Sequence, residues 1–335
     1  MREALHRFSR THEARLLAVT VILFVFLSLA TKNFLSVQNG IDLMTSYAFS
    51  GMLAAGLVVV LVAGGLDISF TAVASIAQYL AVSIASKYDV GWIGLFAVAL
   101  SVGTLLGLLN AVLVTWLRIA SIIVTIAMLN VYYGVLMFFS GGNPINTLPD
   151  WYIDGFAWVI GSDARGNPYI LNMQMLGLVL SFAMSWVLMN RTSVGRQLRA
   201  LGGNPEAAKR VGFNVPRLNM VAYGYMGFCA GLASLVQAQV SGSVVPNMLV
   251  GRELDVLAAV VLGGASLTGG VGSVLGTILG VALLAMLQDG LILLGISSFW
   301  TQCITGAVFL VAVSMIAWER RRQHRTTRRL IGATA

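Results

Sequence analysis

Apolar segments long enough to cross a membrane recur along almost the whole chain, and they limit its possible folds more than any other feature. A helix needs about 20 mostly apolar residues to cross the hydrocarbon layer of a bilayer, which is about 30 Å thick. Hydrophobic residues make up 58% of the 335 positions and charged residues only 10%, whereas soluble domains carry about 25% charged residues. A soluble core could not bury so much apolar surface. The sequence therefore predicts an all-α polytopic membrane protein with a single transmembrane domain over residues 1–335.

The apolar segments divide into ten predicted spans, with the N- and C-termini both cytoplasmic. The first segment follows several arginines and also resembles a secretory signal peptide, but the spans after it favour a retained first helix. The eighth segment is short and would cross only if it is irregular or extended by its neighbours. To within a few residues at each end, the spans are 16–31, 47–64, 69–86, 92–116, 120–140, 171–190, 218–240, 254–265, 272–294 and 299–318.

The distribution of basic residues supports this topology independently of hydropathy, because loops on the cytoplasmic side carry an excess of lysine and arginine. Only four basic residues fall outside: Lys32, Lys87, Arg165 and Arg252. The other 17 fall inside: Arg2, Arg7, Arg10, Arg15, Arg118, Arg191, Arg196, Arg199, Lys209, Arg210, Arg217, Arg320, Arg321, Arg322, Arg325, Arg328 and Arg329. The basic C-terminal tail is typical of contact with anionic lipid, so no nucleic-acid partner is predicted.

Two connections are longer than the others, and long loops in compact proteins are usually functional. The first is a predicted periplasmic loop, residues 141–170, and the second a predicted cytoplasmic loop, residues 191–217. Within the second, Asn204 is a good N-cap and Pro205 suits the first helical position. Glu206 would then complement the helix dipole in the first turn.

The end of this short helix is equally well marked. Ala207 and Ala208 favour helix, Lys209 and Arg210 suit its last turn, and Gly212 would stop it. A surface connector would explain such a segment, but a rigid helix with small alanines on one face can also seat in a groove of another protein.

Three motifs resemble those of one family. Glu206, Ala207 and Ala208 followed by Gly212 resemble the EAA-x-x-x-G pattern by which ABC importer permeases contact their ATPase. Residues 202–208, GGNPEAA, resemble the version in monosaccharide permeases of the ribose, galactose and xylose type. Residues 64–69, GGLDIS, and residues 253–264, ELDVLAAVVLGG, followed by GGVGS at 269–273, resemble two further motifs of that family.

This resemblance implies a permease subunit of the bacterial inner membrane, not an enzyme, that imports a monosaccharide or similar polyol by alternating access. The chain has no P-loop motif, so ATP and magnesium would bind to a separate cytoplasmic ABC ATPase. A periplasmic sugar-binding protein would dock on the outer loops, and a second permease copy or a paralogue would complete the pore. No cofactor or metal is expected in this chain, and the identity of the sugar is left open. The residues implied in ATPase coupling are Asn204, Pro205, Glu206, Ala207, Ala208 and Gly212.

The hairpin at 64–69 has two readings. Asp67 could simply cap the third helix, with Gly64 and Gly65 forming the turn. Alternatively Gly64, Gly65, Asp67 and Ser69 form an inner gate or a second contact with the ATPase. We expect Asp67 at the cytoplasmic edge, because a carboxylate in the middle of a bilayer costs about 2.5–3.5 kcal/mol on insertion scales.

The translocation path should be marked by sparse polar side chains that face the interior of the bundle. Each such residue could equally well bond a neighbouring helix. No charged residue is expected in the middle of a span, which favours an uncharged solute rich in hydroxyl groups. The candidates are Gln78, Asn110, Asn130, Gln237, Gln239 and Gln302.

Two other classes of membrane protein agree less well with the sequence. An ion-coupled secondary transporter would need carboxylates or histidines deep in the bundle, and none is expected there. An intramembrane enzyme would need a nucleophile and base or a set of metal ligands, and no such grouping is visible.

Overall fold

The computed structural model describes residues 12–32, 34–162, 168–297, 299–308, 310, 311 and 314. The arginines before residue 12 and after residue 314, which were predicted to be cytoplasmic, therefore lie outside the described residues. The helices are α1 (His12–Ala30), α2 (Val37–Val62), α3 (Phe70–Lys87), α4 (Gly91–Leu117), α5 (Ser121–Ser140), α6 (Asp150–Asp154), α7 (Met173–Arg191), α8 (Ser193–Gly203), α9 (Pro205–Arg210), α10 (Val215–Ser241), α11 (Glu253–Leu262) and α12 (Val274–Leu293). Two strands, β1 (Ala157–Ser162) and β2 (Pro168–Asn172), form an antiparallel hairpin between α6 and α7.

Seven of these helices are long and apolar enough to cross a membrane, namely α1, α2, α4, α5, α7, α10 and α12. The chain is thus a largely helical, multi-pass membrane protein. Helix α3 falls at 70–87, close to the predicted third span, and α11 confirms that the eighth segment is short. Residues 299–308 are helical and begin the predicted tenth span.

Helix α2 begins ten residues before the predicted start of the second span, at residue 37 rather than 47. Its N-cap Ser36 accepts a hydrogen bond from the backbone N–H of Asn39. The Asn39 side chain also donates to Asp289 near the end of α12. Hydropathy excludes this polar first turn, but capping and contact with α12 stabilise it as helix.

The centre of the bundle is formed by α2 and α10, whose side chains are buried along most of their length. Glycines bring α4 and α10 into backbone contact. A Cβ atom on Gly103 or Gly107 would overlap the α10 backbone, near Gly227 and Gly231. Such close approach through small residues is typical of helix packing in membranes.

Two helices start inside the bundle rather than at its end. Ser69, just before α3, contacts Asn110 of α4, which lies seven residues before Leu117. At 1.5 Å per residue, this contact is about 10 Å from the end of α4. Helix α11 has ten residues and so spans about 15 Å, half the hydrocarbon layer. Both α3 and α11 therefore have their N-termini in the interior.

Helix α6 and the β-hairpin lie at the end of the bundle where α10 ends. Tyr152 is buried, and its hydroxyl donates to the carbonyl of Leu235 in α10. Burial raises the pKa of this phenol well above its usual value. The Trp92 ring packs against Trp151, Tyr152 and Phe156. The described residues of the 141–170 connection therefore pack onto the bundle, and their hairpin departs from the all-α prediction.

Candidate functional site

The predicted short helix forms as α9. The Asn204 side chain accepts a hydrogen bond of 3.0 Å from the Ala207 N–H, and Pro205 occupies the first turn. Glu206 and Lys209 form an exposed ion pair of 2.8 Å. Gly212 ends the helix in a left-handed conformation with φ of 88°, which favours glycine. The local signals in the sequence were sufficient here because every one of them acts within a few residues.

Helix α9 presents most of its surface to solvent. Glu206 and Ala207 are exposed, whereas Ala208 is buried against the rest of the chain. Val211, which follows the helix, is 72% exposed. An exposed helix end with a small side chain and an apolar side chain is suited to a groove on a partner.

Glycines join the base of this segment to both glycine-rich hairpins, and we call this contact the glycine junction. It consists of Gly64, Gly202, Gly269 and Gly270. The backbone N–H of Gly270 donates to the carbonyl of Val62 at 3.0 Å. A Cβ atom on Gly202 would overlap that same carbonyl oxygen and lie 2.5 Å from the nitrogen of Gly270. The three segments thus touch through their backbones.

The glycine junction connects α9 to the segment that leads into α3 and to the C-terminal end of α11. Residues 63–69 lead from the junction to α3, and residues 263–273 lie between α11 and α12. A displacement of α8 and α9 would therefore be passed to both hairpins, because no flexible side chain lies between the backbones to absorb it.

Asp67 is buried, with 2% of its surface exposed. Its place at the cytoplasmic edge of the membrane stays a prediction. Its carboxylate accepts hydrogen bonds from the Ser69 N–H at 2.8 Å and the Ser69 hydroxyl at 2.7 Å. The Ser69 hydroxyl accepts from Asn110 at 2.7 Å, and Asn110 accepts from Tyr132 at 2.9 Å. Asp67 thus begins a chain of hydrogen bonds across α3, α4 and α5.

A second buried carboxylate lies at the start of α11. Glu253 is 6% exposed, and its Oε1 accepts a hydrogen bond of 2.5 Å from the Thr71 hydroxyl in the first turn of α3. The preceding residue, Arg252, donates to Gln237 of α10 at 3.1 Å and lies over the Phe49 ring. Two carboxylates thus lie inside the bundle, but both fall outside the predicted spans, so the expectation of no charged residue in the middle of a span stays a prediction. Hydropathy could not show their burial, because both carboxylates precede interior helix starts rather than interrupt apolar runs.

The remaining candidates for the path fall into different environments. Gln78 is fully buried, and neither atom of its amide has a hydrogen-bond partner in the described part of the chain. Gln237 binds Arg252, and Gln239 accepts from Gln174 and donates to the Tyr152 carbonyl. These two glutamines tie helices and loops together.

Asn130 and Gln302 do not face the interior of this chain as predicted, because both side chains are exposed. Asn130 donates to the carbonyl of Ile126 in its own helix. In an apolar helix that crosses a membrane, an exposed asparagine at the middle indicates a contact with something other than lipid.

Comparison with known proteins defines the class. The chain belongs to the family described as branched-chain amino acid transport system / permease component, whose model matches residues 39–313. As a permease component it is a transport protein and not an enzyme. The family resemblance drawn from the three motifs is thereby confirmed.

Individual relatives are import permeases for ribose and for autoinducer 2. The chain is 32% identical over 301 residues to the ribose import permease protein RbsC of Escherichia coli strain K12, covering 90% of this chain and 92% of the relative. It is 34% identical to RbsC of Bacillus subtilis strain 168, covering 87% and 88%. It is 33% identical to the autoinducer 2 import system permease protein LsrC of Yersinia pseudotuberculosis, covering 89% and 82%. No solved structure matches the chain.

The glycine junction predicts that Gly202→Ala destabilises the protein. The added methyl group must displace backbone atoms of the two hairpins, and overpacking of this kind costs about 1–3 kcal/mol. The midpoint of thermal unfolding of the purified permease in detergent should fall. Gly203→Ala is the matched control, since its new Cβ would meet no atom within 4 Å. Equal midpoints for the two variants would show that the junction is not tightly packed.

The polar chain from Asp67 predicts that Asn110→Ala destabilises the protein by about 1–3 kcal/mol, because buried partners lose their hydrogen bonds. The matched control is Asn130→Ala, which removes an exposed asparagine from the middle of α5 and should change stability by less than about 0.5 kcal/mol. Thermal unfolding in detergent measures both. A control that is destabilised as much as Asn110→Ala would contradict this assignment.

Proposed function

We propose that this chain is the membrane permease of an ABC importer that carries a monosaccharide, or a similar small polyol, into the cell. The observation that carries the proposal is α9, an exposed EAA-bearing helix whose base contacts two glycine-rich hairpins at the same end of the bundle. The similarity to permeases for ribose and for autoinducer 2 supports a small solute of this kind.

The proposed topology has ten spans in the bacterial inner membrane, with both termini in the cytoplasm. In this orientation α9 faces the cytoplasm, and the β-hairpin and α6 face the periplasm. The antiparallel bridge between Ile145 and Val244 supports one shared outer surface, because it joins the 141–170 loop to the 241–253 loop. This surface is the proposed docking site for a periplasmic sugar-binding protein.

ATP and magnesium would bind to a separate cytoplasmic ATPase that grips α9. Closure of the ATPase on ATP would move α8 and α9, and the glycine junction would pass that movement to the segment that leads into α3 and to the C-terminal end of α11. The bundle would then alternate between inward-open and outward-open states. The residues proposed to contact or shape the ATPase-binding helix are those named above, from Asn204 to Gly212.

A second permease, either another copy of this chain or a paralogue, would complete the pore. The exposed Asn130 supports this arrangement, because a polar side chain in the middle of α5 favours a protein or aqueous neighbour over lipid. In such an assembly the candidates exposed on this chain, Asn130 and Gln302, could line the space between the two permeases.

Cysteine labelling tests the orientation. In a Cys303→Ser background, with native Cys229 buried, we expect Ser162→Cys of the β-hairpin to react with a membrane-impermeant maleimide in spheroplasts. Ala207→Cys of α9 should react only in inside-out vesicles. Both positions are exposed in the structure, so each is the control for the other. Labelling of Ala207→Cys from the outside would refute the proposed topology.

A charge reversal on α9 tests coupling to the ATPase. Glu206→Arg should reduce ATP-driven sugar uptake about tenfold or more, since a wrong charge at an interface costs several kcal/mol. Uptake and ATP hydrolysis are measured with the permease, ATPase and binding protein in liposomes. Lys209→Gln is the control, because it breaks the same exposed ion pair without placing a positive charge at position 206.

Normal uptake by Glu206→Arg would remove the main support for ATP coupling. That result would favour the ion-coupled alternative, in which the buried Asp67 and Glu253 would bind the coupling ion. In that case uptake would survive depletion of ATP but stop when the ion gradient collapses.

A further inference from the structure

The two buried carboxylates differ in how well their surroundings satisfy hydrogen bonds. Around Asp67, the polar side chains Ser69, Asn110 and Tyr132 are linked in an unbroken chain. Around Glu253, the Thr71 hydroxyl is the only side chain of the described residues that donates to the carboxylate. A carboxylate has about four acceptor positions, so Glu253 keeps capacity for further donors.

Polar side chains continue from Thr71 along one face of α3. Thr71, Ser75 and Gln78 are four and three residues apart, which places them on the same side of the helix. All three are fully buried. The Tyr133 hydroxyl of α5 faces Thr71 and Ser75, yet among the described residues it makes no hydrogen bond of normal geometry. Within the same part of the chain, neither amide atom of Gln78 has a partner.

Native proteins seldom leave buried polar groups unpaired, and each such group calls for an explanation. A purely structural explanation is that Thr71 and Glu253 clamp α3 to α11. That clamp accounts for one hydrogen bond, but it leaves the Gln78 amide and the Tyr133 hydroxyl unexplained. A ligand that both donates and accepts hydrogen bonds would account for Glu253 and Thr71 and also for Tyr133 and Gln78.

We propose that Glu253, Thr71, Tyr133 and Gln78 form a binding site that contacts the hydroxyl groups of the solute during transport. The proposal rests on the proposed function, and it assigns residues to the transport path. The Glu253 carboxylate would accept from a pair of neighbouring hydroxyls, and the phenol and amide would donate to and accept from others. The carboxylate disfavours an anionic solute, so the site fits a neutral polyol.

Tyr133 separates this site from the outer surface of the chain. Tyr133 as a whole is half-buried, whereas its hydroxyl group is buried. The adjoining surface of α5 carries the exposed Asn130 and Gly134, where a second permease is proposed to face the pore. The solute would reach the site when Tyr133 moves. The segment that leads into α3 and helix α11 connect the same site to the glycine junction, so movement of α9 would open or close it.

Replacement of Gln78 separates a binding role from a packing role. Gln78→Leu has similar volume and removes two unpaired polar atoms, so a role in packing alone predicts unchanged uptake and equal or higher stability. The proposed site instead predicts that the initial rate of uptake falls about tenfold or more, with the thermal midpoint unchanged or raised. The transporter is assayed with its ATPase and binding protein in liposomes. Labelled D-ribose, D-galactose and D-xylose are offered, and the sugar taken up by the wild type is used.

Glu253→Gln is the second variant and should also reduce uptake about tenfold, because it keeps the shape but loses the charged acceptor. Asp255→Asn is the matched control. It neutralises an exposed acid in the same turn of α11, on a different side from Thr71, and should change uptake by less than about twofold.

The results distinguish a failure of the proposed site from a failure of the proposed function on which it rests. Wild-type uptake by Gln78→Leu or Glu253→Gln overturns the site, and so does lost uptake accompanied by a lower thermal midpoint or weaker association with the ATPase. A wild-type protein that associates with no ATPase, or that takes up none of the three sugars, overturns the proposed function itself, and the site falls with it.

Discussion

The contact between glycine backbones at Gly64, Gly202, Gly269 and Gly270 determines how the rest of this structure is connected. Three segments that are far apart in sequence meet there with no side chain between them. Packed protein interiors transmit displacement because they contain few voids. A contact made of backbone atoms is stiffer still, since it has no rotamers that could absorb movement. The exposed α9, the segment that leads into α3 and the C-terminal end of α11 are therefore parts of one mechanical unit.

Two interior helix starts allow charged groups into an otherwise apolar bundle. A carboxylate in lipid is expensive, but Asp67 and Glu253 lie within protein and accept hydrogen bonds from Ser69 and Thr71. Each acid also lies at or just before the N-terminus of a helix, where the backbone N–H groups favour negative charge. Irregular backbone in a membrane protein is tolerated where protein surrounds it. The GGLDIS and ELDVLAAVVLGG motifs supply these conditions.

The family assignment gives this geometry a use. In the proposed mechanism, a movement at one end of the bundle is converted into access at the other. The chain offers an exposed helix to receive the movement, a rigid contact to carry it, and polar side chains in the interior for it to expose. The described residues of the two long loops lie at opposite ends of the bundle, which suits the proposed separate partners for energy and for solute delivery.

The sequence by itself determined the membrane class, most helix boundaries, and α9 with its caps, because hydropathy and capping depend on residues that are neighbours in the chain. The motifs were also sufficient to recognise the family. Only the tertiary structure decided that Asp67 is buried, that Arg252 and Glu253 lie in the interior, and that Asn130 is exposed. It also revealed Thr71 and Tyr133 beside Glu253. Several of these placements depend on contacts between residues far apart in the chain, such as Thr71 with Glu253, 182 positions away, and with Tyr133, and no local pattern of residues encodes them.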